Sequence, residues 1–439
     1  MEQEIAQNMM DSQNAQLTGP HPHLKLRRVA SLAVFLGLIA VLVFGTLNIS
    51  KAGPQSNSAM SLSPRQIPVP PQYFDLNIMF YPGVVSPWPA APSFSWRVWH
   101  ALWFDLEPQK GQWNWKHLDE LTANNAAHNS EMMLIMSYSP MWATQKPQAP
   151  ADWHAGTAGP VNMDDWREYV RTVGQREKGK IHVWEMWNEP DRPRAWQGDV
   201  DSMVQMTAEA SKILKGIDPT NVIVSPSATH PRGNAWLDAF LSKGGADYVD
   251  VIGYHFYTGN VGSMDPPEAV IPLIQNVKAI LAKHNVTKPL WNTEAGWLGP
   301  QPLSDDEQAA FVARSYILNW ASGIDRFYWF QWDVHTNSEI EMVRRDNSTI
   351  TPAGNAFITI QKWMTGWTLH KCLTSDNRNW VCEMNQGSTF KFIVWSTDGE
   401  KGFKLAPNWK VSTVTSLDGT VTQIQGDSVS IGGRPVLIQ

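Results

Sequence analysis

The sequence predicts an α/β protein: a (β/α)8 TIM barrel, a small C-terminal antiparallel β-sandwich and an N-terminal transmembrane helix. Three observations carry this expectation. Between residues 72 and 363, eight short apolar, β-branched or aromatic runs alternate with helical patterns, as they do when strands and helices wind in turn. After residue 364 the texture changes to brief alternating runs, several parted by Asp-Gly and Gly-Gly pairs, the marks of hairpins. Residues 29–49 hold 21 positions without a formal charge, enough for a helix to cross a hydrocarbon core of about 30 Å.

Taken in order, residues 1–28 are polar and read as a cytoplasmic tail, with Lys25, Arg27 and Arg28 just before the apolar run. The positive-inside rule then places everything after residue 49 in the periplasm or outside the cell. A cleaved signal peptide is the competing reading, but the run is long for one and Ser50-Lys51-Ala52-Gly53 is a poor cleavage site. Residues 50–71, rich in Ser, Gln and Pro, read as a linker. The eight expected strands are 74–79, 95–99, 132–138, 182–187, 221–225, 249–254, 289–293 and 326–331. Helical patterns cover 118–129, 164–176 with Asp164 as N-cap, 200–217, 266–284 and 305–321. The last follows Ser304 with Glu307 three residues on, a capping-box spacing. The alternation also suits an open doubly wound sheet, although no Gly-rich phosphate loop follows the first strand. The sandwich is expected over 364–439, its strands at 390–396, 402–405, 411–417, 420–424, 428–431 and 435–438.

Composition narrows the function. Lys plus Arg number 35 against 41 Asp plus Glu, a net charge of −6, so no basic surplus exists to neutralise the phosphates of a nucleic acid. With 17% charged and 43% hydrophobic residues, the chain can bury a core and is not disordered in bulk. Two cysteines cannot build a disulfide scaffold or a four-cysteine zinc site. Cys372 and Cys382 are either a disulfide closing a short loop, which an outside location favours, or two separate buried thiols. No His-Glu-x-x-His motif or Cys/His cluster points to a metal, and no cofactor is expected. The 23 Trp are an outlier; flat indole faces suit stacking on sugar rings, and equally suit a Trp-rich core.

In such a barrel the active site lies at the C-terminal ends of the strands. The fourth expected strand runs into Asn188-Glu189-Pro190 and the seventh into Glu294, followed by Trp297. Two carboxylates at a barrel mouth are what cleavage of a glycosidic bond requires: one protonates the leaving oxygen, the other attacks the anomeric carbon or activates water.

With these residues in place, the chain resembles the retaining glycoside hydrolases of clan A, and glycoside hydrolase family 39 most closely. Asn-Glu-Pro at a fourth strand end is that clan's acid/base signature, and a Glu at the seventh is its nucleophile position. Arg97 in the second strand agrees. So do Trp103, Leu106-Glu107-Pro108, Gly111 and Trp113-Asn114-Trp115 as a W-x-x-x-E-P-x-x-G-x-W-x-W stretch. Ser139-Pro140-Met141-Trp142-Ala143 and His255-Phe256-Tyr257 also match. Members often carry Trp-Asp after the second-strand arginine, where this chain has Trp99-His100. The resemblance covers residues 72–363 and implies double displacement with Glu189 as acid/base and Glu294 as nucleophile. Membrane-anchored bacterial relatives of this layout act on exopolysaccharide, so it also implies a bacterial matrix polysaccharide as substrate.

A raised Glu189 pKa is expected from an apolar surround, with Trp184 and Trp187 as its sources, and from the second carboxylate. Asn188 is expected to bond the sugar 2-hydroxyl; Glu294 needs cationic or hydrogen-bonding company to stay ionised, and the resemblance implies that Arg97 and Tyr257 supply it. His255 reads as a sugar contact or as a satisfied core histidine. Trp332, Trp297, Trp142 and Trp103 are the candidate stacking platforms. Glu185 is expected inside the barrel as a paired structural carboxylate. The alternative function is a non-catalytic carbohydrate-binding protein of a polysaccharide synthesis or export complex. It shares the anchor and the tryptophans but has no use for a proton donor facing a nucleophile.

Overall fold

The computed structural model describes residues 60–79, 88–89, 94–146, 156–258, 265–297, 303–333, 340, 342–344 and 348–439. The expected tail and membrane helix lie outside them. Among the described residues no helix is long and apolar enough to cross a membrane.

Eight parallel staves close a barrel. Phe74–Ile78, Ser95–Val98, Glu131–Ile135 and Val183–Glu185 pair in sequence. Ile252–His255, Leu290–Ala295 and Arg326–Phe330 follow, and the last pairs back onto the first. The fifth stave is split into Val222–Val224 and Ala228–Thr229. Pro226 lies in the gap, where a residue without an N–H cannot continue the ladder. Parallel bridges Asn188–Ser227 and Val224–Val251 hold the two pieces in register with their neighbours. All eight expected strands form, each within a few residues of its expected bounds.

The helices follow their caps. Asp305–Ala321 starts in the expected capping box, with Ser304 and Glu307 bonding reciprocally. Met163–Arg176 is capped by Asn162, whose side chain accepts from the Asp164 N–H, and not by Asp164. Three α-helices were absent from the sequence pattern, the shortest being the single turn Trp103–Leu106. Pro352–Met364 begins with Thr351 as N-cap and Pro352 in the first turn, a start signal masked by its Gly and Asn. Gly233–Ser242 follows a Pro-Arg-Gly stretch that reads as a turn.

Inside the barrel, Met133, Val183, Val224, Val251, Trp291 and Tyr328 form an apolar plug. Closer to the C-terminal mouth the inward residues become polar: Asn77, Arg97, Glu185, Ser227 and Thr293 are all buried and bonded to one another. Gly253 makes room for this layer, since a Cβ there would lie 2.2 Å from Ser227 Oγ.

The C-terminal part is a seven-stranded antiparallel sheet faced by the ribbon Lys401–Lys404 with Ser428–Ile431. Phe392, Val394, Ile431 and Ile438 form the layer between them. Two of its strands, Thr368–Thr374 and Asn379–Gln386, were not expected. They place Cys372 opposite Cys382 in a hairpin, joined by a disulfide. Closing a loop this short contributes about 3 kcal/mol in the chain-entropy account. The linker expectation for 50–71 is corrected at its C-terminal end. Met60–Leu62 adds an edge strand to this sheet, and Val69 bonds Trp367. Barrel and sheet together form one compact unit, Ala59–Gln439. Trp395, stacked on Trp380 at 5.5 Å, donates to Glu268 Oε1 beside the barrel helix Val270–Lys283. Trp380 and Trp395 are therefore a buried pair at the contact of the sheet with the barrel.

Candidate active site

Arg97 organises the barrel mouth. Its inward position on the second strand buries it completely, and all three of its nitrogens donate. Nε donates to Glu185 Oε2 at 2.6 Å, Nη2 to Asn188 Oδ1 at 2.7 Å, and Nη1 to Glu294 Oε2 at 2.6 Å and Asn77 Oδ1 at 3.2 Å. Burial opposes its charge, but Glu185 and Glu294 more than offset this and hold its pKa above the usual value. Glu185 is thus inside the barrel and paired, with Ser227 Oγ donating to its second oxygen. Replacing Arg97→Met would leave two buried carboxylates without a counter-charge. We expect a loss of about 3–5 kcal/mol, read as a lowered midpoint in chemical denaturation; an unchanged midpoint contradicts the role given to this network.

Glu294, ending the seventh stave, accepts from Tyr257 Oη at 2.8 Å on its other oxygen. Burial first, then the Glu294 and Glu189 charges, push the Tyr257 hydroxyl well above its usual pKa, so it stays a donor. Asn188 is held at both ends of its amide, by Arg97 and by Tyr138, whose Oη accepts from Nδ2 at 2.9 Å. Nδ2 keeps one further N–H for a substrate hydroxyl.

Glu189 stands in the left-handed region at φ 48°, unusual for a residue other than glycine. Its N–H donates to Ser227 O, and its C=O accepts from Arg192 N at 3.0 Å, closing a turn with Pro190 at the second position. That turn folds Arg192 back so that Nε meets Glu189 Oε2 at 2.9 Å, while His255 Nδ1 lies 3.1 Å from Oε1. Burial alone would raise the Glu189 pKa, but Arg192 and His255 overcome it and hold the carboxyl at about 2. This corrects the expectation of a raised value. Trp184 and Trp187 bond Asn221 and Ala195, and Trp187 packs on Tyr138 and Trp196, so both indoles belong to the barrel wall.

One carboxylate oxygen of Glu189, one of Glu294 and a ring nitrogen of His255 lie within 4.8 Å of one another. The trio has donors for a cation, yet each carboxylate already carries a guanidinium, which disfavours a further positive charge between them. An approach this close between single oxygens is in keeping with the short spacing of retaining glycosidases, about 5–5.5 Å between carboxyl groups.

The structure brings Glu189, Glu294, Asn188, Arg97, His255 and Tyr257 together. It does not do so for most of the tryptophans. Trp103 is fully buried, stacked on Tyr169 and bonded to Glu107 Oε2. Glu107 also accepts from Gly111 N, and its C=O from Trp142 Nε1, so the W-x-x-x-E-P-x-x-G stretch is a self-bracing turn. Trp297 is 6% exposed between Trp329 and Phe311, and Trp332 is 1% exposed beside Phe357. Only Trp142 of the four is half-open, with Lys110 over its ring. The aromatic beside the charged centre is instead Trp99, half-buried and 5.1 Å from the Arg97 guanidinium carbon. Sequence reasoning also missed Tyr138 and Arg192; the Glu-Pro-x-Arg spacing was a readable turn signal for the latter.

Comparison with known proteins bears on the family and the fold. The chain matches the family described as glycosyl hydrolase catalytic core over residues 111–357. No curated protein matches it in sequence. Among solved structures it is similar to a family 39 glycoside hydrolase from the gut symbiont Bacteroides cellulosilyticus, with 17% identity and a TM-score of 0.65, covering 78% of this chain and 74% of that one. It is similar to a monomeric β-xylosidase from Caulobacter crescentus at 15% identity and a TM-score of 0.63, covering 86% and 97%. An α-L-arabinofuranosidase from Thermotoga maritima aligns at 14% identity and a TM-score of 0.59, covering 87% and 99%. At such identities the likeness is one of fold.

Proposed function

We propose that this chain, which belongs to the glycosyl hydrolase catalytic core family and is therefore a glycoside hydrolase, cleaves a polysaccharide with retention of configuration. The observation that carries the reading is the approach of the Glu189 and Glu294 carboxylates to within 4.8 Å across the barrel mouth. Glu294 attacks the anomeric carbon while Glu189 protonates the departing oxygen. A glycosyl ester on Glu294 results. Glu189 then takes a proton from water as that water attacks the ester, and the sugar leaves with its original configuration. Arg97 and Tyr257 fix the Glu294 oxygens and steady its charge as the nucleophile. The free N–H of Asn188 meets the sugar 2-hydroxyl, a contact that tightens at the transition state. His255 holds Glu189 through Nδ1 and is in this account a positioning residue.

The substrate we propose is a bacterial exopolysaccharide, and the site we propose for the enzyme is outside the inner membrane, anchored by residues 29–49. The family 39 resemblance and the charge-free apolar run support this. The tryptophan richness supports it less than its number suggested, since three of the four candidate platforms are core. Incubating the protein with a panel of bacterial exopolysaccharides and plant xylans, and following new reducing ends, tests the reading. Cleavage of an exopolysaccharide is expected. Cleavage of xylan alone would move the substrate towards the pentosides, and tight binding without cleavage would favour the binding-protein alternative.

A further inference from the structure

The free site has a chemical difficulty, and its solution specifies the substrate. An acid/base must carry a proton to the leaving group, yet each oxygen of Glu189 already has a partner, Oε2 in Arg192 Nε at 2.9 Å and Oε1 in His255 Nδ1 at 3.1 Å, and the guanidinium favours the ionised form, which has no proton to give. The two partners differ in freedom. His255 is fully buried in the sixth stave, while the Arg192 side chain is 33% exposed on a surface turn. The turn itself is pinned, because Asp191 Oδ1 accepts from Thr229 N at 2.8 Å. Arg192 can therefore swing off Glu189 without moving the backbone that positions the acid.

We propose that the sugar on the leaving-group side of the cleaved bond carries a carboxylate, which takes Arg192 from Glu189 and frees the acid/base only when an acidic glycan is bound. This rests on the reading of Glu189 as acid/base. The side is set by chemistry, since Glu189 faces the departing oxygen and Arg192 sits on Glu189. The class of ligand follows from the guanidinium, whose planar fork matches a carboxylate better than any neutral hydroxyl does. Arg194, two residues on, adds further positive charge near Glu189. With Arg192 drawn away, His255, Glu294, Asp191 and Arg194 remain around Glu189. Burial, the largest influence on Glu189, is then opposed by one guanidinium fewer, which moves the carboxyl towards its protonated form. Glu189 takes a proton from solvent, gives it to the glycosidic oxygen as the C–O bond breaks, and regains one from the hydrolytic water.

The test is calorimetric binding to the full-length chain carrying Glu294→Gln, so that ligand is not consumed. The probes are oligosaccharides containing glucuronic, galacturonic or mannuronic acid, each paired with the same oligosaccharide after reduction of its carboxyl groups to alcohols. Titrations at about pH 5.5, above the ordinary Glu range, in two buffers of different ionisation heat also count the protons taken up. The expected result is at least one acidic probe bound about ten-fold more tightly than its reduced partner, with net proton uptake. Arg192→Met should bind the two forms alike and take up fewer protons, and Arg192→Lys should restore part of the preference. If no acidic probe is preferred, or if the preference survives Arg192→Met in protein that melts like its parent, the proposal is overturned. Hydrolysis by the wild type is scored separately. Acidic preference without cleavage counts against the hydrolytic reading, and cleavage of neutral glycan without acidic preference counts against this one.

Discussion

Glu294→Gln is expected to lower turnover of a cleaved polysaccharide by about 10^4-fold or more while leaving it bound, because the bond that forms the covalent intermediate can no longer be made. The amide is close to isosteric. Its carbonyl oxygen can still accept from Arg97 Nη1 and its NH2 can donate to Tyr257 Oη, where the carboxylate oxygens lie at 2.6 and 2.8 Å, so the fold and the mouth should survive. The loss should therefore fall on kcat and not on KM, the pattern of an interaction made only in the transition state. Product time courses on the wild type and variant, with substrate binding measured on both, check this. Activity within about ten-fold of wild type would remove Glu294 as nucleophile.

Glu189→Gln is expected to act differently, and the difference identifies the acid. Proton transfer by a positioned carboxyl contributes about 10^2–10^4-fold. A natural sugar leaving group needs that proton, and a dinitrophenolate does not. The variant should lose this factor on polysaccharide and little of the first step on an activated aryl glycoside. Azide, an anion that needs no general base, should then speed release of the glycosyl-enzyme. Equal losses on both substrate types would contradict the acid role. The same residue gives a pH signature. In the free protein Arg192 and His255 hold the carboxyl at about 2, against the rise that burial would cause. kcat/KM reports the free enzyme and kcat the complex, so the limb assigned to Glu189 should lie at higher pH in kcat than in kcat/KM.

The fold was legible where one signal dominates. Each barrel strand is a short apolar run bounded by turn residues, and the capping box at Ser304 and Glu307 marks a helix start without help from tertiary structure. Helix Pro352–Met364 was hidden because its Gly and Asn lower intrinsic propensity, while burial of Phe357, Ile360 and Trp363 stabilises it. The edge strand Met60–Leu62 was illegible for another reason: its partner lies more than 300 residues away, at Cys372–Thr374. Within the site, Glu189 and Glu294 were readable because strand ends in a barrel all point at one place, while Asn188 and Arg97 were read from the resemblance to family 39. The roles of the tryptophans were not readable. An indole suits a core as well as a sugar, and only burial separates Trp103 from Trp99. Arg192 was visible as a charge, but its effect on Glu189 depends on a turn closing over three residues.

The central claim is double displacement by Glu294 and Glu189, and the stereochemistry of the first product tests it most directly. Proton NMR of the anomeric signals, recorded within the first minutes of cleavage and before mutarotation, reads the configuration of the new reducing end. With one oxygen of each carboxylate within 4.8 Å of the other, the proposed double displacement predicts that the configuration of the cleaved bond is kept. Appearance of the opposite anomer first would mean that water attacks directly, and Glu294 would then be a base and not a nucleophile.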